Sequence, residues 1–236
     1  MIRAVLFDLD DTLIDHRGAQ EDALRAWLGE RFGPSTQALW DTVAERHLRD
    51  WRARTITYGE QRRRRLRDFL PAVGIAYAEP ELDEIFAGYL REYSAVWRAF
   101  PDSAPALSDL SAAGIGLAVL TNGTAVQQAK KLDRTGLSRY FGHRVFTPDD
   151  LGVAKPDPAA FRLVCAKWGM RPDEVLSIGD RHELDVLPAR RAGLRAAHLD
   201  RHDAGPHDET ARLSALSGLM GAFPLWFPRP ESDGRQ

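Results

Sequence analysis

The sequence predicts an α/β fold in which a parallel sheet with flanking helices is interrupted by an inserted helical domain. Residues 2–7 form an apolar run without glycine or proline, which is typical of a buried strand. Residues 16–98 show helical spacing and no convincing strand. Beyond about residue 100, apolar strands alternate with helices, which favours parallel pairing through right-handed crossovers. We therefore expect a discontinuous core of residues 1–15 and 99–223 around a helical insert of residues 16–98.

Composition excludes several classes of protein. A chain of 236 residues is long enough for a core domain with a smaller second domain. The net charge of −2 predicts no nucleic-acid partner. Because no run of about 18 apolar residues and no signal peptide occurs, we expect no membrane partner and a cytoplasmic location. The single cysteine, Cys165, cannot form an internal disulfide, which fits a reducing compartment.

The insert is predicted to contain about four helices. One stripe recurs at three- and four-residue steps and marks one face of a long helix: Leu82, Ile85, Phe86, Tyr89, Tyr93, Val96 and Trp97. Ser35, after Gly33 and Pro34, is predicted to cap the second helix. The arginine run at residues 62–65 is interpreted as a solvated helix face. Because the insert leaves and re-enters the core near the end of the first strand, we expect it to act as a lid.

The remaining core elements follow from apolar runs and glycine or proline boundaries. Strands are predicted at residues 115–120, 145–146, 175–178 and 195–199, the last of them ending the sheet. Helices are predicted at residues 104–113, 124–132, 158–168 and 185–192. Residues 224–236 are rich in proline and then polar, which indicates a partly ordered tail.

Polar residues follow three of the predicted strands, namely Asp8 and Asp10, Thr121 and Asn122, and Asp180. Burying a carboxylate without a partner costs several kcal/mol, so acids at the end of a core strand rarely serve stability. Parallel strands bring these ends to one edge of the sheet, where ligands bind in open α/β folds. Lys155 lies in a loop between the second and third of these strand ends.

This set of side chains suits phosphoryl transfer. Crowded carboxylates repel each other, and a divalent cation relieves the repulsion, with Mg²⁺ favoured by hard oxygen ligands. Lys155 and the hydroxyl of Thr121 suit the equatorial oxygens of a transferring phosphoryl group. One carboxylate can attack phosphorus and form an aspartyl phosphate. A second, two residues on and held partly protonated by charged neighbours, can exchange protons with the leaving alcohol and with water.

At this point the chain resembles the haloacid dehalogenase (HAD) superfamily of phosphohydrolases. The resemblance rests on four motifs in the right order: Phe7-Asp8-Leu9-Asp10-Asp11-Thr12, Thr121-Asn122-Gly123, Lys155-Pro156, and Gly179-Asp180 with Asp185 five residues on. It implies a Rossmann-like parallel sheet core with an inserted α-helical cap domain. The insert resembles the helical cap found between the first and second motifs in the subgroup that includes nucleotide, sugar and glycolate phosphatases.

The resemblance also implies roles for these residues. Asp8 is expected to be the nucleophile and a Mg²⁺ ligand, and Asp10 the general acid/base that binds Mg²⁺ through its backbone carbonyl. The resemblance implies three further roles: phosphate binding by Thr121 and Asn122, charge neutralisation by Lys155, and metal binding by Asp180 with Asp185 as a second-shell or water-mediated ligand. The expected activity is Mg²⁺-dependent hydrolysis of a small phosphorylated metabolite, by a monomer or homodimer.

Three alternatives stay open. A haloacid dehalogenase on the same scaffold would use the first aspartate but would need neither Asp10 nor Mg²⁺. A sugar phosphomutase would keep all four motifs. A non-catalytic binding module would have no need of the charged residues Asp8, Asp10, Lys155 and Asp180. The sequence does not identify the substrate.

Overall fold

The structure is a computed structural model and describes residues 1–226, with side-chain surroundings through residue 223. Of the predicted tail, residues 224–226 belong to the last helix, and the others lie outside the described residues. The chain folds as two compact units. One unit contains residues 1–15 and the chain from residue 98 onward, and the other contains residues 16–97.

A six-stranded sheet forms the centre of the first unit, with the strand order β3-β2-β1-β4-β5-β6 and parallel pairing throughout. The strands are β1 (Ala4–Phe7), β2 (Gly116–Leu120), β3 (Val145–Phe146), β4 (Val175–Gly179), β5 (Arg195–Leu199) and β6 (Arg212–Leu213). The predicted parallel α/β core is thus confirmed. The expectation that residues 195–199 form the last strand is wrong, because β6 pairs beside β5. Residues 212–213 lack the apolar, strand-favouring pair that predicts a strand at residues 145–146, so the local sequence does not indicate β6.

Strand β1 lies between β2 and β4 and sets the position of the polar residues that follow. Its last residue, Phe7, is in register with Val119 of β2 and Ile178 of β4. The backbone N–H of Asp8 continues the pairing by donating to the carbonyl of Ile178 at 2.8 Å. The segments after all three strands therefore emerge at the same edge of the sheet.

Apolar side chains of β1 are buried on both faces of the sheet, as in other parallel sheets. Val5 and Phe7 belong to one core cluster, whereas Ala4 and Leu6 belong to a second cluster on the opposite face. The α-helices of this unit are α5 (Ser103–Ala112), α6 (Ala125–Arg134), α7 (Ser138–Phe141), α8 (Pro148–Leu151), α9 (Pro158–Trp168), α10 (Leu187–Arg191) and α11 (Leu219–Trp226). Cys165 of α9 is buried in the second cluster, where its thiol packs as an apolar group.

The chain after β4 departs from the predicted helix of residues 185–192. A single π-helical turn, His182–Val186, precedes the short helix α10. Such turns are uncommon and have no simple sequence pattern, so the spacing of apolar residues does not predict them. The turn includes Asp185, which is 3% exposed.

The second unit is helical and has its own aromatic core. Its α-helices are α1 (His16–Leu28), α2 (Pro34–Arg52), α3 (Tyr58–Ala72) and α4 (Leu82–Ala95). Trp40 is fully buried, with ring centroids 4.9 Å from Phe69 and 4.6 Å from Tyr89. These contacts join α2, α3 and α4 around one centre.

Two details of this helical unit differ from expectation. Ser35 does not cap α2; Gly33 is the capping residue and Pro34 starts the helix, where its fixed φ suits the first turn. The arginine run is not a uniformly solvated face, because Arg65 is only 7% exposed. Among the described residues, no helix has the length and apolarity needed to cross a bilayer.

Candidate active site

Lys155 is the centre of a buried group of charges at the carboxyl edge of the sheet. Its ammonium lies 2.5 Å from Asp8 Oδ1 and 2.6 Å from Asp185 Oδ1. Lys155 and Asp185 are each 3% exposed, and the Asp8 side chain is 11% exposed. Burial disfavours the charged form of Lys155, but the two carboxylates outweigh burial and raise its pKa. One lysine thus holds the ends of the first and fourth motifs together.

Asp180 supplies a third carboxylate beside this group. One oxygen of each of Asp8, Asp180 and Asp185 lies within 4.8 Å of the others. Burial and the carboxylates of Asp8 and Asp185 raise the pKa of Asp180 well above its usual value. Among the described residues, none donates a hydrogen bond to the Asp180 carboxylate. Crowding and burial thus disfavour the charged form of Asp180, and a cation bound between these carboxylates would favour it.

Thr12 links the first and fourth motifs through its hydroxyl. The backbone N–H of Asp180 donates to Thr12 Oγ1 at 3.1 Å, and this hydroxyl lies 3.4 Å from Asp8 Oδ2. Asp185 Oδ2 accepts from the backbone N–H of Arg181 at 3.1 Å. Both Asp185 oxygens therefore have protein donors, whereas those of Asp180 have none among the described residues.

Asn122 pairs with the backbone of the loop that carries Lys155. Its Nδ2 donates to the backbone carbonyl of Lys155 at 2.8 Å, and its Oδ1 accepts from the backbone N–H of Lys155 at 2.9 Å. This reciprocal pair fixes the loop that presents Lys155. The side chain of Asn122 therefore orients Lys155, and the phosphate contact expected of this residue stays a prediction.

Asp10 contacts two residues that the motifs do not include. Lys131 Nζ lies 2.5 Å from Asp10 Oδ1, and Gln128 Nε2 donates to Asp10 Oδ2 at 3.1 Å. Lys131 is 2% exposed and Gln128 is 1% exposed. A cation and an amide donor therefore lie against the Asp10 carboxylate.

Gln128 also connects Asp10 to the second motif. Its Nε2 donates to Thr121 Oγ1 at 2.7 Å, and the backbone N–H of Gly123 lies 3.3 Å from the same oxygen. Gln128 and Lys131 were not predicted as site residues, because in the sequence they resemble ordinary polar residues of an amphipathic helix. The available indication was their spacing, since residues 128, 131 and 132 share the helix face that buries Leu132.

All the predicted site residues thus lie at one edge of the sheet, in two linked groups. Asp8, Asp180 and Asp185 surround Lys155, and Asn122 holds the backbone of that lysine. Asp10 and Thr121 are joined by Gln128, with Lys131 on the far side of Asp10. The arrangement combines a half-buried carboxyl group without a donor among the described residues, a buried lysine and a carboxylate held by two side chains.

Several known proteins are similar to this chain in sequence. The model of a protein family described as haloacid dehalogenase-like hydrolase matches residues 2–193. A glyceraldehyde 3-phosphate phosphatase from Methanopyrus kandleri is 31% identical over 204 residues, which is 85% of this chain and 85% of the relative. A phosphoserine phosphatase from Thermus thermophilus is 35% identical over 174 residues, which is 73% of this chain and 67% of the relative.

Solved structures give the same result. The HAD-hydrolase YfnB from Bacillus subtilis, bound to magnesium, aligns with a TM-score of 0.80 at 24% identity over 93% of this chain and 97% of that one, a likeness of fold. A 2-haloacid dehalogenase from Pseudomonas syringae aligns with a TM-score of 0.67 at 30% identity over 96% of this chain and 100% of that one. The family model spans most of the chain, and the chain therefore belongs to the haloacid dehalogenase-like hydrolases, as the four motifs predicted.

Proposed function

We propose that this chain is a Mg²⁺-dependent phosphatase that hydrolyses small phosphomonoesters through an aspartyl phosphate on Asp8. The observation that carries the proposal is the half-buried Asp180 carboxylate, which has no donor among the described residues and lies beside Asp8 and Asp185. With Lys155 between two of these acids, the site has the charge pattern expected for a metal ion and a phosphoryl group.

The donor set fits magnesium. Asp8 and Asp180 would supply hard carboxylate oxygens, and Asp10 would supply a backbone carbonyl. Asp185 lies beside these ligands and pairs with Lys155. The solved relative YfnB is described as bound to magnesium. When bound, the ion would neutralise negative charge on the phosphoryl oxygens and on the attacking carboxylate.

The residues of the chain have separate tasks in the proposed reaction. A carboxylate oxygen of Asp8 attacks phosphorus, and the ester oxygen leaves as the alcohol. Lys155, held 2.5 Å from Asp8 by its ion pairs and by the loop that Asn122 fixes, reduces repulsion between the nucleophile and the anionic substrate. The hydroxyl of Thr121 donates to a phosphoryl oxygen.

Asp10 is the proposed general acid/base. It gives a proton to the leaving alcohol in the first step and takes one from the water that hydrolyses the aspartyl phosphate in the second. Its side chain is 29% exposed, whereas its partner Lys131 is 2% exposed. The carboxylate is therefore accessible from solvent while its orientation is set from the protein side.

The substrate class is a small phosphorylated metabolite. The relatives are named for glyceraldehyde 3-phosphate and for phosphoserine, which share a phosphomonoester on a short carbon chain. We further propose a cytoplasmic location, consistent with the single cysteine. A screen of phosphorylated metabolites with Mg²⁺, measured by released phosphate, identifies the preferred ester.

The dehalogenase alternative is supported by the likeness to the Pseudomonas syringae enzyme. It does not account for Asp10, which is contacted by two buried side chains, Lys131 and Gln128. A dehalogenase needs no such carboxylate, so the phosphatase explains more of the site. Release of halide from 2-haloacids, without release of phosphate from any ester, would favour the alternative. Bisphosphate-dependent turnover would instead identify a phosphomutase.

Two isosteric substitutions test the proposed chemistry. Asp8→Asn removes the nucleophile and is expected to abolish phosphate release, while Asp10→Asn is expected to slow it by about two to four orders of magnitude. Chelation of Mg²⁺ is expected to stop turnover by the wild-type enzyme. Asp173→Asn, on the surface with a side chain 57% exposed, is the matched control and is expected to keep full activity. Near-normal turnover by Asp8→Asn would reject the aspartyl phosphate.

A further inference from the structure

Helix α6 carries two buried polar side chains that none of the four motifs includes. Gln128 and Lys131 are three residues apart, so they lie on the same face of the helix. Both are nearly inaccessible, at 1% and 2% exposure. A buried ammonium and a buried amide are costly unless they are paired, so their partners indicate why the chain retains them.

The partner of Lys131 is Asp10, and the two residues differ in exposure. The lysine is 2% exposed, whereas the Asp10 side chain is 29% exposed. A buried ion pair contributes little net stability, because desolvation offsets the attraction between the charges. What the pair does fix is geometry: Lys131 contacts Oδ1 of Asp10 while Gln128 donates to Oδ2. With both oxygens held, the carboxylate has one orientation.

Gln128 fixes the hydroxyl of Thr121 in a similar way. The Gln128 Nε2 atom faces a carboxylate oxygen of Asp10, which only accepts, so the orientation of the amide is determined. The same Nε2 donates to Thr121 Oγ1 at 2.7 Å, and the Gly123 N–H is directed at that oxygen from 3.3 Å. A hydroxyl whose lone pairs accept two hydrogen bonds has its proton left to donate elsewhere.

Gly123 leaves the space that the side chain of Gln128 occupies. A Cβ atom added at Gly123 would lie 2.2 Å from Gln128 Nε2 and 2.5 Å from its carboxamide carbon. No side chain fits in that space while Gln128 keeps its hydrogen bonds. The glycine of the second motif is therefore explained by the room that the glutamine needs.

We propose that Lys131 and Gln128 are positioning residues, which hold the Asp10 carboxylate and the Thr121 hydroxyl in the orientation required for phosphoryl transfer. The inference rests on the proposed phosphatase function and deepens it. Lys131 acts through Asp10, and Gln128 acts through both Asp10 and Thr121.

A double-mutant cycle with p-nitrophenyl phosphate and Mg²⁺ tests the role of Lys131. Lys131→Met is expected to lower kcat by about 10- to 100-fold, part of the usual effect of a general acid, with KM changed less than threefold. In the Asp10→Asn background the same change is expected to have no further effect. Lys130→Met, at the adjacent exposed position, is the matched control and keeps wild-type kcat.

Gln128 has its own cycle. Gln128→Met keeps the length of the side chain but removes both hydrogen bonds, and we expect kcat to fall by about tenfold, roughly one lost hydrogen bond to a reacting group. Combined with Thr121→Ala, most of that loss is expected to disappear. Equal losses in both backgrounds would show that Gln128 acts independently of Thr121 and would overturn this part of the inference.

The outcomes separate the inference from the proposed function. Wild-type enzyme without phosphatase activity on any ester rejects the proposed function. If the wild-type enzyme is active and the kcat of Lys131→Met lies within threefold of the wild-type value, only the positioning role is overturned. The same holds if Lys131→Met lowers kcat equally in the wild-type and Asp10→Asn backgrounds. If Lys131→Met does not fold, judged by circular dichroism, Lys131→Gln keeps a donor without the charge and enters the same cycle.

Discussion

At the scale of single residues, Gly179 shows how the site depends on a position that carries no side chain. A Cβ atom added at this position would lie 2.3 Å from the Asp185 carboxyl carbon and 2.5 Å from its Oδ2. The carboxylate fills the space that a larger residue would take, and from there it reaches Lys155 at 2.6 Å. The glycine of the fourth motif thus serves the charge pair, not the conformation of the chain.

Gly179→Ala is expected to displace Asp185 from Lys155. Because this region is well packed, we expect the free energy of unfolding to fall by about 1–3 kcal/mol and phosphatase activity to fall at least tenfold. Chemical denaturation and kcat measure the two effects. Gly221→Ala, where an added Cβ meets nothing within 4 Å, is the control and is expected to leave both unchanged or to stabilise slightly. A fully active, equally stable Gly179→Ala would show that Asp185 can move without consequence.

At the scale of elements, α3 carries an arginine with an unusual environment. Arg65 is 7% exposed, its guanidinium lies 5.0 Å from the Trp40 ring centroid and 5.6 Å from that of Phe86, and its Nε has no partner. Its only hydrogen bond among the described residues goes to Gln61 Oε1 at 3.4 Å. Burial lowers the pKa of Arg65. The aromatic rings compensate only part of the cost of desolvating this charge.

Replacing Arg65 is therefore expected to stabilise the protein. Arg65→Met keeps the apolar stem and removes the unpaired charge, and we expect the free energy of unfolding to rise by about 1–2 kcal/mol. Arg64→Met is the matched control, since Arg64 is 43% exposed and pairs with Glu60 at the surface, and it is expected to change stability by less than about 0.5 kcal/mol. Destabilisation by Arg65→Met would show that the cation–π contacts outweigh desolvation.

The elements also show what the sequence can and cannot predict. Strands β1, β2 and β4 are mainly apolar segments of four or five residues, and their pattern identifies them. The two-residue strand β6 and the π-helical turn before α10 depend on tertiary contacts and leave no local pattern. The same distinction holds in the site. Asp8, Lys155 and Asp180 follow strands or open loops, whereas Lys131 and Gln128 appear as ordinary helix residues until the fold brings Asp10 beside them.

At the scale of the whole molecule, buried carboxylates tie the C-terminal segments of the first unit together. Glu209 is 5% exposed, pairs with Arg190 at 2.8 Å and accepts from the backbone N–H of Ala211 at 2.9 Å. Burial alone would raise its pKa, but Arg190, the Ala211 N–H and His182 outweigh burial and lower the pKa to about 2 from the usual 4.5. Arg190 also donates to the carbonyl of Ala196 in β5, and Ala211 directly precedes β6, so Glu209 connects the segments at this edge of the sheet.

This ion pair makes stability depend on pH with a definite sign. The unfolded chain binds a proton at Glu209 near its usual pKa of 4.5, whereas the folded chain does so only near 2. The contribution is complete above about pH 4.5 and is lost as the pH falls toward 2. Glu209→Gln is thus expected to lower the free energy of unfolding near neutral pH by about 2–3 kcal/mol and to lose less stability than wild type on acidification.

Urea denaturation at a series of pH values measures both curves, with the exposed Glu84→Gln as the matched control. The wild-type and Glu209→Gln curves are expected to converge as the pH approaches about 2, because there the native carboxyl group also becomes protonated. The Glu84→Gln curve is expected to follow wild type throughout. Wild-type and Glu209→Gln curves that stay parallel over the whole acidic range would mean that the loss comes from packing, and that the ionised carboxylate does not hold this edge of the sheet.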